Sequence, residues 1–294
     1  MRRSVARVLL LSFLLGSVLV AQMKTATAAV PDDEQVIVQA EHSFVQAAGK
    51  ADAKGLAGFL DADFTWIDPD GNISRREQVL QNAEMLSSAK DDANYLKTYN
   101  YGQVGGVFGV HGMVRFERIW VKRAEGWKLL RYHEVPIQGE ASQPYSAASD
   151  SATPARCENP CTIIPYKPTT QADREVIAAF EAMNVAGSHS DADAWAKEIG
   201  DDDFGITPGV LVTKAGRIST IKKQKEANVF PTPAPLLAAQ FFDFGDAVVM
   251  EAIHQPQSGK PHHFTRVWIR RNGEWKLVAG AETQIKAAPA AYTK

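Results

Sequence analysis

Cysteine, net charge and long apolar runs are all scarce in this chain. Its 294 residues include two cysteines and carry a formal net charge of −2 at pH 7. A charge balance of this kind gives no electrostatic reason to expect nucleic acid or an acidic membrane surface as a partner. The longest apolar run, Val8–Ala21, is too short for a stable membrane span. These features indicate an ordinary globular protein.

The N-terminal segment has the pattern of a secretory signal peptide. Three arginines precede the apolar run, and Ala26-Thr27-Ala28 offers the small residues that a signal peptidase requires. We interpret residues 1–28 as a signal peptide, with an uncleaved anchor helix as the alternative. After cleavage we expect a soluble chain with no membrane partner, in the periplasm or outside the cell.

The two cysteines, Cys157 and Cys161, are predicted to form a disulfide. An oxidising compartment favours their pairing. Their spacing differs from the CxxC of a redox motif, and a zinc site would need two further ligands nearby.

A change of composition divides the mature chain into two parts. Residues 139–170 are rich in Ser, Ala and Pro, contain both cysteines and show no sustained apolar period. We therefore predict a first domain over 31–138, a linker over 139–170 and a second domain over 171–286.

The two predicted domains are copies of one another. Residues 116–135 and 264–283 align without a gap, as FERIWVKRAEGWKLLRYHEV and FTRVWIRRNGEWKLVAGAET. Eight of the twenty aligned positions are identical, and each copy lies near the end of its own half. Such an internal repeat indicates a duplicated domain.

Each half has helices first and strands afterwards. Apolar residues at helical spacing predict amphipathic helices over Glu34–Gly49 and Asp173–Gly187, each followed by a short second helix. In the first half a strand over 64–67, a turn at Asp68-Pro69-Asp70-Gly71 and a helix from about Ser74 come next. Four strands are predicted over 95–104, 107–115, 116–122 and 127–136. This order predicts the α+β class, with helices packed on one face of a curved, mostly antiparallel sheet.

The last hairpin of each half fixes which side chains share a face. Asn272-Gly273 is a strong hairpin turn, and the same register puts Ala124-Glu125 in the turn of the first half. Strict alternation then places Arg131 and His133 on the face of Phe116, Arg118 and Trp120. The second half has alanines at the positions of Arg131 and His133.

These features resemble a known superfamily. The helix pair, the Asp-Pro-x-Gly turn after a strand and the closing WVKRAEGWKL and WIRRNGEWKL strand pairs look like the cone-shaped superfamily of nuclear transport factor two, ketosteroid isomerase and the SnoaL-like cyclases. The nearest resemblance is to SnoaL-like domains of unknown function. It covers nearly all of both halves. It implies two tandem cone-shaped domains, and the superfamily includes enzymes as well as binding and assembly modules.

The resemblance points to one candidate catalytic residue. In ketosteroid isomerase-like members the general base is an Asp in such an Asp-Pro turn, which corresponds here to Asp68. A carboxylate at the mouth of an apolar cone can remove a proton next to a carbonyl while hydrogen-bond donors hold the enolate. The structural alternative is that Asp68 bonds to its own turn. Alignment from Gly71 and Gly216 places Thr213 opposite Asp68, so the second half would lack this base. The candidate pocket residues of the first cone are Trp66, Tyr101, Arg118, Trp120, Arg131 and His133.

Three histidines in the second half are candidates for a metal site. His254, His262 and His263 flank a loop between two strands, but adjacent strand residues point to opposite faces, and Glu251 has the wrong parity relative to His254. We interpret them as solvated loop histidines and predict no metal and no cofactor.

Three functions therefore stand as hypotheses. The preferred one is binding of a small, largely apolar organic molecule in the first cone. The second is a cofactor-free isomerase, cyclase or lyase that uses Asp68. The third is a non-catalytic covalent pseudo-dimer, in which the two domains pair within the chain and further oligomerisation is possible.

Overall fold

The structure is a computed structural model that describes residues 32–91, 94–138, 153–154, 156–257 and 259–286. The predicted signal peptide lies outside these residues. Within the described part of the chain, no helix combines the length and the apolar character needed to cross a membrane.

The first domain begins with helices and ends with strands. Its helices are α1 (Asp32–Gly49), α2 (Ala53–Phe59) and α3 (Arg76–Gln81), and a 3₁₀ helix covers Ala83–Asp91. Its strands are β1 (Leu60–Ile67), β2 (Ile73–Arg75), β3 (Asn94–Asn100), β4 (Val104–His111), β5 (Val114–Arg123) and β6 (Gly126–Pro136).

The second domain repeats this order. Its helices are α4 (Gln171–Ser188), α5 (Ala192–Lys197) and α6 (Lys214–Glu226). Its strands are β7 (Ile199–Ile206), β8 (Leu211–Thr213), β9 (Leu236–Asp243), β10 (Ala247–His254), β11 (His262–Arg271) and β12 (Glu274–Gln284).

Each domain contains one six-stranded sheet with the same topology. The strand orders are β2-β1-β6-β5-β4-β3 and β8-β7-β12-β11-β10-β9. The β1–β6 and β7–β12 pairs are parallel, and the other pairs are antiparallel. The predicted class, α+β with two tandem cone-shaped domains and mostly antiparallel sheets, is confirmed.

The predicted hairpin register is confirmed, but two predicted strand boundaries are wrong: the one at 105–106 lies inside β4, and the one between 115 and 116 lies inside β5. Arg123 pairs with Gly126 across Ala124-Glu125, and the Asn272-Gly273 turn has the positive φ angles of 52° and 80° that a tight hairpin needs. By contrast, the predicted break around Gly105-Gly106 lies inside β4. A Cβ on Gly106 would stand 2.5 Å from the Tyr99 ring, so the glycine there allows close packing and does not mark a turn.

A β-bulge in the closing strand overturns the predicted alternation of faces. Ile119 pairs with Arg131, whereas its neighbour Trp120 pairs with Leu129. The extra residue in β6 reverses the parity of everything after it. Tyr132 and Glu134 therefore share the face of Trp120, and Arg131 and His133 do not. The prediction that Arg131 and His133 face the first cone is wrong for this reason.

Apolar side chains form three clusters. The first lies between the helices and the sheet of the first domain, and we call this space the first cone; the second cone is its counterpart in the second domain. The first cone contains Phe44, Phe64, Trp66, Phe116, Trp120 and Tyr132 among others. The second contains Val176, Phe180, Phe241, Phe264, Trp268 and Trp275 among others. The third cluster joins the opposite sheet faces of both domains, with Phe108, Ile119, Val135, Val249, Val267 and Ala281 among its members.

Polar contacts between the domains flank this third cluster. Arg131 Nε lies 2.5 Å from Glu251 Oε2, and the Arg131 guanidinium lies 4.3 Å from the centre of the Phe242 ring. His133 lies fully buried with its ring nitrogens 3.3 and 3.1 Å from the hydroxyls of Thr265 and Thr283. These contacts use the very side chains that the sequence analysis placed in the first cone.

The Asp68-Pro69-Asp70-Gly71 turn contacts the second domain. Lys286 donates a backbone hydrogen bond of 2.8 Å to the Asp70 carbonyl, and its Nζ lies 2.5 Å from Asp70 Oδ1. A Cβ on Gly71 would stand 2.7 Å from the backbone oxygen of Gln284. The turn is therefore closely packed against the end of β12.

The predicted disulfide joins Cys157 to Cys161. Near it, the Asn159 side chain exchanges two hydrogen bonds, of 3.0 and 2.9 Å, with the backbone of Leu236. The bridge therefore stiffens a segment that is attached to the start of β9.

We predict that Gly71→Ala destabilises the protein more than Gly245→Ala does. Both glycines have positive φ, at 78° and 84°, but a Cβ on Gly245 meets nothing within 4 Å. The conformational cost of about 1–2 kcal/mol is common to both variants. Contact with the second domain adds roughly 1–3 kcal/mol for Gly71→Ala alone. Urea unfolding measures both free energies, and equal losses would contradict close packing of the turn.

Candidate functional site

The first cone is built around a buried ion pair. Arg118 Nη1 donates to Glu41 Oε1, and Trp120 Nε1 donates to Glu41 Oε2 at 3.1 Å. Both charged side chains are fully buried, and the Arg118 guanidinium lies 4.2–5.0 Å from three aromatic ring centres. A buried pair of this kind is tolerated only because hydrogen bonds and cation–π contacts complete it.

A second carboxylate, Glu134, accepts hydrogen bonds from three side chains in the same cone. Trp66 Nε1 donates to Oε2 at 2.8 Å, and Tyr132 donates its hydroxyl proton to Oε1 at 2.8 Å. His111 Nε2 also lies 2.8 Å from Oε1. Protein groups thus occupy both oxygens of Glu134.

The first cone is filled by its own side chains. Phe64, Trp66, Phe116, Trp120 and Tyr132 are all buried within it, and the polar groups described above bond to one another. The first cone is therefore a structural core whose two carboxylates bond to protein side chains.

The structure separates the predicted pocket residues into two groups. Trp66, Arg118 and Trp120 lie in the first cone, as predicted. Tyr101 does not: its hydroxyl donates to Asp202 Oδ2 of the second domain at 2.7 Å. Arg131 and His133 also contact the second domain, because of the bulge in β6.

Asp68 bonds to its own turn. Its Oδ1 accepts the backbone N–H groups of Asp70 and Asn72 at 2.8 and 2.9 Å, and its Oδ2 accepts from the Asn72 side chain at 2.9 Å. Thr207 takes the same position in the second domain, where its Oγ1 accepts from Val210 N at 3.3 Å. The predicted match to Thr213 is therefore wrong. The geometry supports the structural alternative for Asp68.

The second cone has lost the aromatic side chains that fill the first. In the first sheet Trp66 pairs with Tyr132, and at the corresponding place in the second sheet Gly205 pairs with Gly280. Two residues before Gly205, Asp203 stands where Phe64 stands in the first domain. Aromatic side chains bury roughly 150–250 Å² each, so these replacements remove much apolar filling.

Arg266 of the second cone is more exposed than its counterpart Arg118. The side chain of Arg118 is 0% exposed, whereas that of Arg266 is 22% exposed. A Cβ on Gly280 would stand 2.8 Å from Arg266 Nη1, so the glycine gives the guanidinium its space. Solvent therefore reaches part of the Arg266 guanidinium.

Trp268 carries a buried donor without a partner. Its Nε1 has no hydrogen-bond partner among the described residues, and its side chain is fully buried. The equivalent Trp120 donates to Glu41. Ala51 and Ser190 follow the equivalent helices α1 and α4 and share a φ of 49°, so we align the two helices on these residues. In this alignment Phe180 takes the position of Glu41. An apolar residue has thus removed the acceptor, which leaves an unpaired donor in the second cone.

Asp203 is a buried acid. Burial raises the pKa of Asp203 to about 7, against a smaller opposite effect from the Arg266 charge. An acid with a pKa near neutrality exchanges protons at physiological pH.

His254, His262 and Glu282 meet in the same cone. Glu282 Oε1 lies 3.2 Å from His254 Nε2 and 2.8 Å from His262 Nδ1. Burial alone would raise the pKa of Glu282, but the charges and hydrogen bonds of the two histidines hold it well below its ordinary value. The prediction of solvated loop histidines is wrong for all three residues, because His263 is also buried and lies within β11.

Two titratable groups lie buried between the domains. Burial raises the pKa of Glu117 to about 7, although hydrogen bonds from Thr265 and Tyr99 oppose the rise. Burial also lowers the pKa of His133 well below its ordinary value. His133 is therefore neutral at pH 7 and acts as a hydrogen-bonding residue between the sheets.

The sequence contained a signal for the second cone that the sequence analysis did not use. Trp66 and Tyr132 are replaced by Gly205 and Gly280 in the repeat, and glycine inside a strand often marks close approach of another group. The register of the parallel strand pair was needed to show that the two glycines face each other.

We predict that Asp203→Asn changes how stability depends on pH. The folded pKa of Asp203 lies above its ordinary value of 3.8. Its stabilising contribution is therefore complete below about pH 4 and is lost as the pH rises through about 7. The variant, which stays neutral, should gain roughly 2–4 kcal/mol relative to wild type between pH 4 and pH 8.

Urea unfolding at several pH values tests this prediction. The matched control is Asp193→Asn, because Asp193 is exposed in the same domain. A difference between Asp203→Asn and wild type that does not vary with pH would contradict a raised pKa.

Comparisons with known proteins place this architecture among solved structures. No family model matches the chain, and no curated protein matches it. An NTF2-like protein from Cytophaga hutchinsonii has 22% identity and a TM-score of 0.31; the match covers 40% of this chain and 100% of that one. A putative dehydratase of the NTF2-like family from Streptomyces avermitilis has 17% identity and a TM-score of 0.30 over 37% of this chain and 99% of that one.

A third structure, an NTF2-like protein of unknown function from Shewanella baltica, has 17% identity and a TM-score of 0.32 over 42% of this chain and 100% of that one. Each of these matches spans well under half of the chain. All three of these solved structures are described as NTF2-like.

Proposed function

We propose that this protein binds a small organic molecule in the second cone, with the first domain as its structural partner. One observation carries the proposal: the paired aromatic residues Trp66 and Tyr132 of the first cone are the paired glycines Gly205 and Gly280 of the second. The site thus moves from the first cone, where the sequence analysis placed it, to the second.

The polar groups of the second cone indicate the chemistry of the ligand. Arg266 offers a partly exposed cation, and Trp268 Nε1 offers a buried donor without a partner. Both favour a hydrogen-bond acceptor or an anionic group. Phe180, Phe241 and Phe264 supply apolar walls. A small, largely apolar molecule with one carboxylate or similar group fits these features best.

The first domain supports a role in assembly. Its cone is filled, and its other sheet face shares an apolar cluster with the second domain. Export to the periplasm or the medium stays a proposal, which the Cys157–Cys161 disulfide supports.

We predict that Gly205→Trp weakens ligand binding at least tenfold. A Cβ at Gly205 would meet its nearest neighbour, the Gly280 oxygen, at 3.3 Å, so the variant restores the large side chain that the first cone has at Trp66. The probe is anilinonaphthalene sulfonate, an aromatic anion, followed by fluorescence titration. Gly58→Trp is the matched control because a Cβ on Gly58 meets nothing within 4 Å. Undiminished probe binding by Gly205→Trp would place the site elsewhere.

A second candidate function is proton transfer by Asp203. The observation that favours it is a buried carboxyl whose pKa burial raises to about 7, close enough to Arg266 to feel its charge. Asp68 is less suited to this role because its oxygens bond to its own turn. If Asp203 contacts the ligand, probe affinity should change near pH 7 in wild type and stay constant there in Asp203→Asn. Identical pH profiles would exclude that contact.

A further inference from the structure

We propose that His254, His262 and Glu282 form a binding site for a divalent transition-metal ion in the second cone. The inference does not depend on the small-molecule proposal, because metal binding can be measured without an organic ligand.

Three neighbouring strands bring the three residues together. His254 ends β10 and pairs directly with His262, which begins β11. Glu282 lies on β12, opposite Phe264 and therefore two residues from His262 along the ladder. The His254 ring packs 5.2 Å from the Phe264 ring, which belongs to the second cone. Strands of one sheet hold all three side chains, so the set is positioned by rigid backbone.

The distances between donor atoms suit a single ion. Glu282 Oε1 is 3.2 Å from His254 Nε2 and 2.8 Å from His262 Nδ1, and all three donor atoms lie within 4.8 Å of one another. Metal–ligand bonds of about 2.0–2.2 Å place donor atoms on one ion about 3 Å apart. Small side-chain adjustments therefore bring the three atoms onto one metal.

The first domain shows what the same position looks like as a purely structural site. His111 and Glu134 occupy the places of His254 and Glu282 and lie 2.8 Å apart. Val114 takes the position of His262, and Trp66 and Tyr132 donate hydrogen bonds to the two Glu134 oxygens. In the second domain glycines replace both of these donors, and a histidine replaces the valine. The replacements together exchange two hydrogen-bond donors for one metal ligand.

Arg266 helps to orient the carboxylate. Its Nη2 lies 3.7 Å from Glu282 Oε2, whereas Glu282 Oε1 makes the contacts with His254 and His262 described above. The interaction favours Oε1 as the ligand atom. Partners of this kind in the outer shell fix the orientation of ligating carboxylates.

The ligand set indicates the class of metal. Two imidazoles and one carboxylate suit zinc or another first-row divalent ion, and three protein ligands leave at least one position for water or a small molecule. The metal would thus stand near Arg266 in the second cone.

Calorimetric titration of the untagged mature chain with zinc, after removal of metals by a chelator, tests the proposal. We expect one zinc per chain. The affinity for zinc should fall by about tenfold to a hundredfold in His262→Val and in Glu282→Gln. His262→Val keeps the fold intact by design, since valine stands at this place in the first domain. His42→Gln removes an exposed histidine of the first domain and should leave the affinity unchanged.

Cobalt(II) provides an independent reading, because its visible spectrum reports the ligand set and should change in His262→Val. The proposal is overturned if the wild-type chain binds neither zinc nor cobalt at millimolar concentration. It is equally overturned if His262→Val, with its circular dichroism unchanged, binds zinc as tightly as wild type does.

Discussion

A single extra residue in each closing strand determines which side chains lie in the cone and which lie on the face that contacts the other domain. The bulges fall after Leu129 in β6 and after Leu277 in β12, and they reverse the parity of every later side chain. Because of this reversal, Glu134 and Glu282 lie in the cones. Arg131, His133 and Ala281 lie instead on the faces that contact the other domain. Without the bulge, the cones would lose their central carboxylates and the contact between the sheets would lose its polar partners.

The two copies of the domain differ in the polar and aromatic side chains of their cones. In the first, Glu41 accepts hydrogen bonds from Arg118 and Trp120, and Glu134 accepts them from Trp66 and Tyr132. The second replaces those partners with Phe180, Gly205 and Gly280, and gains Asp203 and His262. A buried donor without an acceptor, an acid with a raised pKa and a partly exposed arginine are costly in a core whose only task is stability. Such costs are typical of functional sites.

Much of the fold could be predicted from the sequence, because local signals agree with it. The repeat, the amphipathic helices and the Asn272-Gly273 turn gave the domain copies, the element order and the hairpin register. The bulges could not be predicted, since no residue in Leu130-Arg131 or Val278-Ala279 marks them. Because the bulge in β6 was not predicted, Arg131 and His133 were assigned to the wrong face of the sheet. The sequence prediction used residues that only the first domain has, Arg131 and His133. The proposed site rests instead on aromatic side chains that only the first domain has and that leave space in the second cone.

The central claim is that the second cone is the binding site and the first cone is its filled counterpart. The indole N–H signals of Trp120 and Trp268 in a nitrogen-15 NMR spectrum compare the two cones directly, because the residues are equivalent and differ in their hydrogen bonding. On addition of a small aromatic carboxylate, the account predicts that the Trp268 signal shifts and the Trp120 signal does not. A shift of Trp120 alone, or of neither signal under saturating ligand, would contradict it.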